Sequence, residues 1–101
     1  LKRILKRTGV GIARTGGYTG HGSGEVMIGF TTANRIPSGC EEELLQLSAI
    51  PEHVINRAFL AAAEAEQEAI LNSMTAAKQT RGRKGELYYS LAEYLNDRKP
   101  E

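Results

Sequence analysis

The chain has a single cysteine, Cys40, in 101 residues. It therefore forms no intramolecular disulfide, which fits a reducing compartment such as the cytoplasm. Charge of one sign is not in excess: 13 Lys and Arg stand against 12 Asp and Glu. No global field draws the chain to nucleic acid or to an anionic membrane. No apolar run is long enough to make a bilayer-spanning helix, and no signal peptide opens the sequence. There is no internal repeat and no low-complexity segment. No metal set is present either, because His21, Cys40 and His53 lack close ligand spacing. What is left is about one small domain of chain with a modest core. Leu1 opens inside a helical pattern without an initiator Met, and the chain reads as the tail of a longer polypeptide.

Leu1, Ile4, Leu5, Thr8 and Ile12 recur at helical spacing, with Lys2, Arg3, Lys6 and Arg7 on the other side. This is the pattern of an amphipathic helix. Gly9 and Gly11 near its end predict fraying or the close approach of another backbone. Gly16, Gly17, Gly20, Gly22 and Gly24 then crowd a loop. Val26 to Ala33 is apolar or Thr-rich on both alternating faces and predicts a central strand buried on both sides. Pro37 and Gly39 break the pattern after it, and Glu41 to Ile50 fits either a short helix or an irregular packed segment.

A long helix is expected from about Pro51 to Lys78, covering a sheet through Ile55, Phe59, Ala62 and Ile70. Glu66 falls nearest its apolar stripe. Thr80 to Gly85 reads as a basic turn and Leu87 to Leu95 as a last short helix, with the final residues frayed. One strand among helices has no partners for its backbone groups, so the element order itself points to a piece of a larger fold.

The chemistry-bearing stretch is Gly20-His21-Gly22-Ser23-Gly24-Glu25, running into Val26. If the strand begins here, Ser23 and Glu25 point to one face, because side chains alternate across a strand. A hydroxyl beside a carboxylate can carry or orient a proton. A polar pair closing a loop has the same spacing. Gly29 shares the face of Glu25 and leaves room there, and His21 stands in the same loop near a substrate path. The glycine loop lacks the Lys of a phosphate-binding loop. It precedes a strand instead of opening a helix, unlike a dinucleotide fingerprint. It also lacks the flanking glycines of a nucleophile elbow.

Three stretches in this order resemble the C-terminal part of the DmpA-type aminopeptidases, which are serine N-terminal-nucleophile peptidases. They are Gly11-Ile12-Ala13-Arg14-Thr15-Gly16, Gly22-Ser23-Gly24-Glu25 and Phe30-Thr31-Thr32-Ala33-Asn34. Glu66 to Asn72 and Thr80 to Gly85 also fit, so the resemblance covers about Leu1 to Gly85. Glu86 to Glu101 departs from the pattern and is a tail of uncertain structure.

The resemblance implies an α+β fold, part of a four-layer αββα sandwich. This segment would give it a helix, a central strand and a long helix. It implies a self-processing aminopeptidase or amidohydrolase acting on small peptides or amides. Ser23 and Glu25 would be catalytic, with Ser23 bonded to the nucleophile and Glu25 holding Ser23. The nucleophile would be a serine upstream of Leu1, freed by self-cleavage of a Gly-Ser bond. Its α-amino group titrates near neutral pH and can serve as base. No metal or organic cofactor is implied. The partners implied are the upstream polypeptide and further copies of the enzyme, with no nucleic acid and no membrane. The rival reading is a non-catalytic binding module that uses the stripe Lys2, Arg3, Lys6 and Arg7. A solvated helix face accounts for the same stripe, which has no interleaved aromatics.

Overall fold

The computed structural model describes residues 1–97. The expected fraying of the final residues falls on 98–101, outside the described residues. In chain order the elements are α1 (Lys2–Leu5), α2 (Thr8–Arg14), a 3-10 turn (Glu52–Val54), α3 (Ile55–Ala76), β1 (Thr80–Arg81), β2 (Leu87–Tyr88) and α4 (Leu91–Asn96). The class is α+β, with the sheet a small antiparallel ribbon.

The first amphipathic helix is two helices. The Thr8 hydroxyl donates to the Leu5 carbonyl at 2.8 Å, a local side-chain bond of the kind that competes with the helical ladder. The chain therefore turns between α1 and α2. Gly11 lies in α2, where it is buried against α3. A β-carbon at Gly11 would stand 2.6 Å from the Ala63 carbonyl oxygen and 2.6 Å from the Glu66 β-carbon. The expectation of close backbone approach is met. The alternative of fraying is not, since α2 continues to Arg14.

The sequence of α3, rich in Ala, Glu and Leu, has high helix propensity. Its ends fall slightly inside the expected range. Pro51 has extended backbone (φ −62°, ψ 148°) and precedes the 3-10 turn, and Ala77 returns to extended backbone at the far end. Ile55, Phe59, Ala62, Glu66 and Ile70 are half-buried and Ala63 is buried, at the three- and four-residue steps expected. The stripe covers α1 and α2, not a sheet.

Val26 to Ala33 is the main correction. No strand is assigned there. A strand needs neighbours for its N–H and C=O groups, and no other described segment supplies them. The period of two survives in the burial: Met27 and Gly29 are half-buried, while Val26, Ile28 and Phe30 are 89%, 88% and 83% exposed. Met27 and Gly29 face the α1–α2 pair, and the other side is open. Glu41 to Ile50 is irregular and exposed throughout.

The end of the chain corrects a second expectation. Thr80 pairs with Tyr88 and Arg81 with Leu87 in an antiparallel ribbon, so Leu87 begins a strand and not a helix. The helix starts after Ser90 because Ser90 and Glu93 form a reciprocal capping box. Glu93 Oε2 accepts from the Ser90 backbone N–H and from its hydroxyl, each at 2.8 Å. These bonds hold the Glu93 carboxyl below its ordinary range, the backbone bond contributing most.

Ala63 is the one buried apolar side chain among the described residues. The accessible surface is 9125 Å², against about 5,600 Å² for an ordinary folded monomer of this mass. The radius of gyration is 19.9 Å, against about 13 Å for a compact domain of this length.

A glycine-loop cleft as candidate active site

The site is built from the end of α2. Thr15 caps the helix, and the next residue, Gly16, takes φ +97°. The Gly16 N–H donates to the Ala13 carbonyl at 3.1 Å and the Gly17 N–H to the Ile12 carbonyl at 3.0 Å. This double closure is a Schellman motif, which requires the left-handed backbone that glycine adopts without strain. It turns the chain sharply out of α2 and into the loop.

The loop then folds on itself. The Ser23 N–H donates to the Gly20 carbonyl at 3.0 Å, closing a turn over His21 and Gly22. Thr19, just before this turn, has φ +53°, the only positive φ at a non-glycine position among the described residues. For a β-branched residue such a conformation costs of order 1–3 kcal/mol. Its hydroxyl donates to Glu25 Oε1 at 3.2 Å. The two limbs of the loop are thereby tied together across the turn that carries Ser23.

The loop walls a cleft of about 520 Å³ lined by Ile12, Tyr18, Thr19, His21, Ser23 and Glu25, with the intervening glycines. Ser23 and Glu25 thus share one surface, and His21 joins them. No hydrogen bond links Ser23 to Glu25 among the described residues, where the carboxylate's one bonded partner is Thr19. Both side chains are exposed and accessible to a group brought in from outside the chain. A hydroxyl that can give a proton and a carboxylate that can accept a hydrogen bond are the components such a cleft offers. The room expected at Gly29 is taken: a β-carbon there would stand 2.6 Å from Leu5 Cδ2. Gly29 therefore serves the packing of α1.

The basic stripe is divided. Arg3 Nη1 donates to Glu52 Oε1 at 2.9 Å, and the Arg3 and Arg7 guanidinium carbons lie 5.5 and 4.1 Å from the centre of the Phe59 ring. Arg3 in α1 and Arg7 at the start of α2 thus lie against α3 by cation–π contacts, while Lys2 and Lys6 extend into solvent. Cys40 and His53 are exposed, and among the described residues no three His, Cys, Asp or Glu side chains gather as a ligand set.

Two features escaped the sequence. One is Thr19, whose only signal is a β-branched residue inside a glycine-rich run. The other is Asn34, whose side-chain amide donates to the Ser48 carbonyl and accepts from the Ser48 N–H, both at 2.8 Å. It imitates a strand partner and ties off the loop between them.

Residues 1–88 match peptidase family S58, and the chain belongs to that family. It is 33% identical over 85 residues to the beta-peptidyl aminopeptidase BapA of Sphingosinicella microcystinivorans, a match spanning 84% of this chain and 22% of the relative. It is 27% identical over 92 residues to the BapA of Sphingosinicella xenopeptidilytica, spanning 90% and 23%. Among solved structures it is similar to the PH0078 protein from Pyrococcus horikoshii OT3. There the TM-score is 0.85 and the identity 45%, over 95% of this chain and 28% of that one. The chain therefore spans about a quarter of the length of these relatives.

Proposed function

We propose that this chain is the C-terminal part of a self-processing serine aminopeptidase that releases N-terminal amino acids from peptides or related small amides. The observation that carries the reading is the match to peptidase family S58 through residues 1–88, on a chain whose Ser23 and Glu25 line one open cleft. The names of the two BapA relatives support the aminopeptidase activity.

In this reading the nucleophile is a serine on the upstream polypeptide, exposed as a new N-terminus by self-cleavage. Its α-amino group takes the hydroxyl proton as the oxygen attacks the scissile carbonyl. The C–N bond breaks, the leaving amine receives the proton, and water then hydrolyses the acyl ester. Ser23 accepts a hydrogen bond from the nucleophile residue on its hydroxyl oxygen and keeps that residue oriented. Glu25 accepts from the Ser23 hydroxyl and fixes its direction. The open side of Val26, Ile28 and Phe30 lies against the upstream polypeptide, in the sheet layers of an αββα sandwich. The large exposed surface of the chain supports that placement. The finished enzyme works in the cytoplasm as a homo-oligomer, without a metal or organic cofactor.

The test is Glu25→Gln in the complete polypeptide. It keeps the shape and removes the charge. Turnover falls by about 10²-fold or more, the scale of a positioned acid–base group, while the melting temperature changes little. A normally folded variant with undiminished turnover overturns the assignment.

A further inference from the structure

We propose that Thr19 is the positioning residue for Glu25, setting the direction of the carboxylate and, through the turn between them, the place of Ser23. The proposal rests on the catalytic reading of Glu25 given above.

The argument begins with a residue in the wrong kind of place. The glycine loop has left-handed backbone at positions 16, 19 and 22, with φ of 97°, 53° and 85°. Positions 16 and 22 carry glycine, as such backbone favours. Position 19 carries threonine, whose branched β-carbon makes this conformation costly. Glycine would fit position 19 without strain and would keep every backbone bond of the loop. What it would lack is the hydroxyl, and that hydroxyl makes the loop's one side-chain bond to Glu25, to Oε1 at 3.2 Å.

The geometry gives that bond a specific consequence. It engages Oε1 and leaves Oε2 without a hydrogen bond among the described residues. One oxygen is anchored and the other is available to Ser23. An exposed glutamate samples several rotamers, and a single donor on one oxygen selects among them. Because the bond spans the turn closed by Ser23 N–H and the Gly20 carbonyl, it also restrains the limb from which Ser23 projects.

The test uses the complete polypeptide and four variants: Thr19→Val, Thr19→Gly, Thr19→Ser and Glu25→Gln. Valine keeps the shape and removes the hydroxyl. Glycine removes the hydroxyl and the strain together, so it folds where valine does not. Expected for both is a fall in kcat of about tenfold, the scale of a hydrogen bond to a charged group, with KM within about twofold. Serine restores most of kcat. Chain sizes on a denaturing gel show whether each variant has self-cleaved. Where one has not, the rate of self-cleavage is the readout, with the same order expected.

Wild-type kcat in Thr19→Val or Thr19→Gly, beside an inactive Glu25→Gln, overturns the role of Thr19 and leaves that of Glu25 standing. A fully active Glu25→Gln overturns the catalytic reading and the proposal with it.

Discussion

The layer made by α1, α2 and α3 and the stretch from Tyr18 to Ile50 are both rich in apolar residues, yet they meet the demands of the backbone differently. In the helices each interior N–H finds its acceptor four residues back. Their sides then need only pack, as α2 does on α3 where Gly11 meets Ala63 and Glu66. In the second stretch Val26, Ile28 and Phe30 alternate with Met27 and Gly29 as a strand would, but no ladder forms. Apart from local backbone turns such as Ser23 N–H on the Gly20 carbonyl, its fastenings are single side chains: Thr19 on Glu25 and Asn34 on Ser48. The lesson is that helices can be completed locally, whereas a strand is completed only by another part of a protein.

The largest effect that follows concerns the second region. Residues 1–101 expressed alone are expected to lack a cooperative thermal transition, because Ala63 is the only buried apolar side chain described and an ordinary core is absent. Circular dichroism and gel filtration of this piece, beside the complete polypeptide, check it. A monomeric piece with a sharp melt would break the comparison.

The next effect tests the first region. Gly11→Ala raises intrinsic helix propensity by about 1 kcal/mol. The added carbon, however, would stand 2.6 Å from the backbone oxygen of Ala63, which cannot swing away as a side chain would. Overpacking costs about 1–3 kcal/mol and sometimes more, so the net change is destabilising. A lowered melting temperature of the complete protein is expected. A raised one would show that α2 and α3 separate freely.

The smallest effect concerns α4, where a helix is secured by its own first turn. Ser90→Ala removes a cap worth about 1 kcal/mol. The Glu93 carboxyl is held below its ordinary value of 4.5 by the bonds from Ser90. Its contribution is therefore fully present above that pH and is lost as pH falls through the lower, folded value. Hydrogen exchange of α4 at neutral pH should separate the variant from the wild type. The gap should narrow below pH 4.5 as Glu93 becomes protonated.

Much of the helical layer was legible in the sequence. The stripe Ile55, Phe59, Ala62, Glu66 and Ile70 and the close approach near Gly11 follow from spacing and residue size alone. The cleft was legible in part: the order of the glycines and Ser23 and Glu25 marked it, and the structure brings both residues to one surface. The hydroxyl on Glu25 was not legible, because the expected partner was Ser23 and the observed one is Thr19. A left-handed threonine has no signature in composition or period. The ribbon at Thr80–Tyr88 was hidden because two-residue strands carry no periodicity.

By itself the sequence determined the periods. Three- and four-residue steps made α3, and alternation along Val26 to Phe30 divided inward from outward side chains. Those are consequences of covalent geometry, repeated at every residue. The tertiary structure decided where each face went: α3 onto α1 and α2, Arg3 and Arg7 onto Phe59, and the Thr19 hydroxyl onto Glu25. These depend on which distant groups meet in space, and no local pattern in the chain encodes that meeting.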